Sequence, residues 1–149
     1  MQEQIDKDLK AALLAGDKAK TETLRGLKSA ILNEAIAAGV KDSGLNDEQI
    51  QKVLAKEAKR RQEAADLYKQ GGNLERAELE LAEKSIIENY LPKQLNESEV
   101  AKVVDEELSK LDKPQPSDMG RVIAAVRNRL GATADGATIA GLVKQRLQQ

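Results

Sequence analysis

The sequence predicts an all-α protein: a four-helix N-terminal domain over residues 1–91 and a three-helix C-terminal domain over residues 96–149, joined at a proline-containing hinge, 92–95. Three observations predict it. Aromatic content is 1 %, with Tyr68 and Tyr90 and no Phe or Trp. The core must then come from Leu, Ile, Val and Ala, which favours close-packed helices over a sandwich or barrel. Apolar residues recur at three- and four-residue spacing, and no strand-like alternation of useful length interrupts them. Finally, Tyr90-Leu91-Pro92-Lys93-Gln94-Leu95 stops one helical pattern and starts another. Pro92 lacks a backbone N–H and pushes Leu91 out of the α region. Asn96 caps the next helix, with Glu99 closing the capping box and Leu95 and Val100 forming a hydrophobic staple.

The elements run in chain order. Ile5, Leu9, Ala12 and Leu13 mark a first helix that Gly16 ends. Asp17 caps a second, with Leu24, Leu27, Ile31, Ala35 and Ala38 on one face, closing at Gly39. Leu32, Ile36 and the stem of Arg25 make a second stripe, which predicts a central helix with neighbours on two sides. After a loop over 40–44, Leu45-Asn46-Asp47-Glu48-Gln49-Ile50 repeats the capping logic found at 95–100 and opens a third helix, 47–70. Its inner stripe is Ile50, Val53, Leu54, Ala58, Ala64, Ala65 and Tyr68. Gly71-Gly72-Asn73 breaks the chain. A fourth helix over 74–90 aligns Leu79, Ala82, Ile86 and Tyr90, with Leu81 and Ile87 beside them. Beyond the hinge, Val100, Val103, Val104, Leu108 and Leu111 mark a fifth helix, ended by Pro114 and Pro116. Ser117 caps a sixth, carrying Met119, Val122, Ile123, Val126 and Leu130. Asp135 caps a seventh, with Ile139, Leu142, Val143 and Leu147 inward.

Composition narrows the function. The chain has no Cys and no His, which removes disulfides, thiolate metal sites, cysteine nucleophiles and the commonest general base. No metal or cofactor is expected. No catalytic residue is readable: without His the serines have no triad base, and Ser29 beside Lys28 points elsewhere on the helix. Gly39-Val40-Lys41-Asp42-Ser43-Gly44 lacks the order of a phosphate-cradling loop. No apolar run approaches the roughly 18 residues of a membrane span, and Met1-Gln2-Glu3-Gln4-Ile5-Asp6 is no secretion signal. The expected location is the cytoplasm.

Formal net charge is −1, but the signs are unevenly placed. Residues 96–112 carry a net of −4, and residues 117–149 a net of +3. The basic end, Arg121, Arg127, Arg129, Lys144 and Arg146, is one candidate surface for a polyanion. No aromatic residue follows Tyr90, so there is no stacking platform, and the nucleic acid implied is structured RNA read by shape and backbone. A second candidate is Lys52, Lys56, Lys59 and Arg60 on the third helix, although such a row is more often a solvated face and Glu63 interrupts it. Glu57 and Arg61 lie one turn apart on the apolar side, either as a groove pair positioning a ligand or as an ion pair between helices at the bundle edge. Gly120, in the first turn of the sixth helix, admits either a close backbone approach to the free N–H groups or tight helix packing.

Several stretches occur together in order: Leu24-Arg25-Gly26-Leu27-Lys28-Ser29-Ala30-Ile31-Leu32-Asn33-Glu34, Lys59-Arg60-Arg61, the proline motif at 90–95, Asp118-Met119-Gly120-Arg121-Val122 and Ala134-Asp135-Gly136. With them the chain resembles the YqeY-like family along essentially its whole length. That family shares its C-terminal part with the tail domain of the tRNA-dependent amidotransferase's B subunit. The resemblance implies a helical N-terminal domain, a three-helix tail domain and contact with tRNA through the tail. It also implies a carbon–nitrogen ligase association, but the amidotransferase's catalytic parts lie outside the shared tail and nothing catalytic carries over. One departure stands at Ala132-Thr133, where the family has a glycine and a basic residue.

Three functions emerge as expectations. The first is a non-catalytic protein that binds tRNA or other structured RNA, or an accessory factor of tRNA amidation. The second is a protein–protein adaptor with no RNA role, its partner acting in tRNA amidation or translation. The third, an enzyme acting on an amide or ester, ranks last because His and Cys are missing.

Overall fold

A computed structural model describes residues 1–148. All regular structure among them is helical: α1 (Gln2–Ala15), α2 (Lys18–Ala37), α3 (Asp47–Gln70), α4 (Leu74–Glu88), α5 (Glu97–Ser109), α6 (Met119–Leu130) and α7 (Gly136–Leu147), with 3-10 turns at Pro116–Asp118 and Gly131–Thr133. The chain divides into two compact units, Met1–Leu91 and Pro92–Gln149.

Local sequence sets the boundaries. Gly16 takes a left-handed φ of 72° at the end of α1, a conformation that L side chains resist. The Asp17 carboxylate accepts from the Lys20 amide at 3.1 Å and caps α2. Asn46 with Gln49, and Asn96 with Glu99, form two complete capping boxes. At the proline motif, α4 ends at Glu88, and the Tyr90 and Leu91 amides close a tight turn onto Ile87 and Glu88. At the start of α6 the reading from sequence needs correction. Ser117 is not its cap; it lies inside the 3-10 turn, and Asp118 holds the cap position without a side-chain cap bond. Pro116 fixes the first residue of that turn, so the chain is already coiled when α6 begins.

The first unit is built from α1 to α4. Ile5, Leu24, Leu27, Ile31, Ile50, Leu54 and Ile87 are at most 1 % exposed and form its core. Two stripes differ from expectation. Leu32 and Ile36 of α2 are 48 % and 51 % exposed, so α2 buries only the face carrying Leu24, Leu27, Ile31 and Ala35. On α4 the buried residues are Ala77 and Ile87, while Leu79 is 58 % exposed. α3 and α4 share the most extensive helix contact in the unit. Ala65 on α3 and Ala77 on α4 are both fully buried, and their small side chains admit the close approach.

The second unit packs α5, α6 and α7 around Val100, Val104, Val122, Val126, Ile139, Leu142 and Val143. These are the a/d-type positions that the spacing marked. Burying one Val or Ile side chain contributes roughly 1.5–3 kcal/mol, so this small core depends on nearly every member.

Candidate nucleic-acid interface

The second unit draws two of the motif segments to one corner. Gln94 Nε2 donates to the Ala132 carbonyl at 2.7 Å and to the Pro92 carbonyl at 3.1 Å. The Leu95 amide donates to the Thr133 carbonyl at 2.8 Å. Residues 94–95 are thereby tied to the turn that precedes Ala134-Asp135-Gly136. Thr133 Oγ1 closes the same turn by donating to the Leu130 carbonyl at 2.6 Å. The Thr133 side chain thus helps hold the corner shut.

Arg127 lies against the start of α7. A Cβ built on Gly136 would overlap Arg127 Nη2, so the missing side chain makes room for the guanidinium. Gly120 shows nothing of the kind. A Cβ there meets open space, so neither tight packing nor a close backbone explains it. Asp118 accepts from the Gln115 amide at 2.9 Å and from Arg121 Nη2 at 2.7 Å, holding the entry to α6.

The C-terminal cations divide into two groups. Arg129 reaches α5 with both arms, Nη2 to Glu106 at 2.7 Å and Nη1 to Glu107 at 3.1 Å. Arg146 on α7 pairs with Asp105 on α5 at 2.9 Å. Arg121 is taken by Asp118. Among the described residues, Arg127 and Lys144 join none of these ion pairs, and both are exposed. Glu107 is 9 % exposed. Lys110, donating at 2.9 Å, and then Arg129 hold its carboxyl below the usual range, against the opposing effect of burial. The acidic helix and the two basic ones, visible in sequence as blocks of opposite sign, clamp one another.

In the first unit, Lys52, Lys56, Lys59 and Arg60 are exposed on α3. Lys52 approaches Glu48 at 3.9 Å, and Arg60 takes Glu57 at 3.2 Å. Glu57 and Lys56 line a cleft of about 210 Å³ between α2 and α3, with Asn33, Glu34, Val53 and Arg60. Arg61 does not pair with Glu57. It turns to α4, where Glu83 lies 3.0 Å and Glu80 3.8 Å from its Nε. The expected inter-helix ion pair at the bundle edge is therefore made by Arg61 alone, with partners that only the α3–α4 packing supplies. Glu83 is pushed above the usual carboxylate range, first by burial and then by the neighbouring Glu80 charge.

Three further residues carry weight that sequence reasoning did not assign. Gln94 bridges the motifs, Glu107 is the buried acid of the α5 clamp, and Asp8 accepts from the Tyr90 hydroxyl. Gln94 stood inside a recognised motif, and Glu107 inside the acidic block; nothing local signalled Asp8. Among the described residues no group of three or more acidic, His or Cys side chains could hold a metal ion, and no helix is long and apolar enough to cross a membrane.

A relative named "Altered inheritance of mitochondria protein 41, mitochondrial", from Lachancea thermotolerans, is 31 % identical over 115 residues. The match covers 76 % of this chain and 60 % of that relative, so the chain spans well under the relative's full length. The family model described as Yqey-like protein matches residues 2–147. The chain belongs to the YqeY-like family.

Proposed function

We propose that this protein is a non-catalytic RNA-binding accessory protein that engages tRNA, or another structured RNA, through α6 and α7. The observation that carries the reading is the pair Arg127 and Lys144. Both are exposed, they stand on different helices of one small unit, and neither joins the ion pairs that consume Arg121, Arg129 and Arg146. Lys144 lies eight residues beyond Gly136, about 12 Å along α7. Two point charges so placed suit backbone contacts, which position a protein on RNA without reading sequence. Lys52, Lys56, Lys59 and Arg60 form a subsidiary basic face in this reading.

The same reading divides the chain into an N-terminal domain, 1–91, and a tail domain, 96–149, related to that of the amidotransferase, with 92–95 as the hinge. The bonds from Gln94 and Leu95 to residues 132 and 133 favour bending ahead of Gln94. The carbon–nitrogen ligase association extends no further than this relation. The cytoplasm is the proposed location; the relative from Lachancea thermotolerans is mitochondrial by its name.

Crosslinking of the native protein to RNA, followed by sequencing and peptide mapping, tests the proposal. Structured RNA attached to peptides of α6 or α7 supports it. A second reading, a protein adaptor, is favoured by Leu32 and Ile36, which stand about half exposed on α2. Crosslinks confined to a protein partner on α2 would favour that reading instead. Glutamine-dependent amidation of misacylated tRNA by the pure protein would overturn both.

A further inference from the structure

We infer that α5 is a built-in competitor for RNA: its exposed acids, Asp105 and Glu106, occupy Arg146 and Arg129 and hold them back from a polyanion. The inference rests on the RNA-binding reading above and deepens it.

α5 carries three successive acids that do two different jobs. Glu107 is buried and receives both Lys110 and Arg129, so it anchors the two cations to α5 from the edge of the core. Glu106 and Asp105 are 58 % and 54 % exposed, and their partners Arg129 and Arg146 are 41 % and 29 % exposed. Exposed pairs of this kind are held weakly and are screened by salt. An RNA phosphate offers the same anionic oxygens to the guanidinium, often with bidentate geometry. Arg129 can exchange Glu106 for a phosphate through Nη2 while Nη1 stays on Glu107, so the helix packing need not open. Arg146 can exchange Asp105 through its Nε in the same manner. The arrangement sets a threshold: a ligand dense enough in phosphate displaces both acids, and a sparse one meets only Arg127 and Lys144.

The test is binding of bulk tRNA by the full chain, measured by filter retention across a range of salt. Asp105→Asn with Glu106→Gln is expected to tighten binding roughly five- to tenfold at low salt and to steepen the salt dependence by about one ion per cation freed. Adding Arg129→Ala and Arg146→Ala to that variant should abolish the gain. Glu97→Gln with Asp112→Asn changes net charge equally at exposed positions outside these pairs, and should shift affinity far less. An equal gain in that control would overturn the inference, because net charge alone would then explain the effect. Wild-type binding that depends on Arg127 and Lys144 but is unchanged by Asp105→Asn with Glu106→Gln would sink the inference alone. No binding by either protein would remove the RNA reading with it.

Discussion

The Tyr90 hydroxyl donates to Asp8 Oδ2 at 2.5 Å, joining residues 82 positions apart and tying the chain after α4 to α1. Tyr90 also packs on the first-unit core with Leu91 and Ile86. Burial, then the Asp8 carboxylate, raises the phenol well above its usual value of 10.0. Tyr90→Phe keeps the ring and deletes the bond, leaving Asp8 Oδ2 without its donor while Gln4 still donates to Oδ1. The expected cost is about 1–2 kcal/mol in urea unfolding. The sign with pH is also fixed. A raised phenol stabilises the fold below pH 10 and loses that contribution as pH climbs through the folded-state value. Stability of the wild type should therefore fall in alkali more steeply than that of the Phe variant. Parallel curves would show that the bond contributes nothing.

Glu83 shares that sign, which is unusual for a carboxyl group. It is 34 % exposed, and burial and Glu80 outweigh the help that Arg61 gives its charge. A carboxyl raised in the folded state adds stability below its ordinary value of 4.5 and loses it as pH rises. Glu83→Gln, neutral at every pH, should raise the melting temperature at pH 7, with the advantage gone by pH 4. A lower melting temperature at pH 7 would mean that the 3.0 Å contact with Arg61 outweighs the repulsion.

Gly26 sits in the middle of α2 with open space where a Cβ would go. Replacing a helical glycine by alanine restricts the unfolded chain without strain in the fold. Gly26→Ala is expected to stabilise by about 0.5–1 kcal/mol, read from the denaturant midpoint. A loss of stability would point to a helix distortion at this position.

Much of this architecture was legible in the sequence, because its signals are local. Asn46 with Gln49 and Asn96 with Glu99 are spaced for capping boxes, and the boxes form. The valines and isoleucines of α5 to α7 recur at helical period and make one core. The illegible parts depend on which helix lies beside which. Leu32 and Ile36 have the period of a buried stripe, yet period alone does not supply a covering neighbour. Arg61 had Glu57 within reach on its own helix but found Glu80 and Glu83 across the α3–α4 seam. Arg129 and Arg146 looked available in a basic block, until packing set the acidic block of α5 against them.

Gly136→Ala separates position from charge. The added methyl meets only the tip of the Arg127 side chain, which can swing away at little cost. Stability should change by less than about 0.5 kcal/mol, since alanine suits a first helical turn. Affinity for tRNA should nonetheless fall toward that of Arg127→Ala. Full affinity in the stable Gly136→Ala protein would show that the placement of Arg127 beside Gly136 is irrelevant.

The slope of tRNA affinity against salt tests the central claim most directly, measured for the wild type and for Arg127→Ala with Lys144→Ala. The account predicts salt-sensitive binding by the wild type, and a slope shallower by about two ions in the double variant, with the melting temperature unchanged. Identical slopes, or wild-type affinity indifferent to salt, would contradict it.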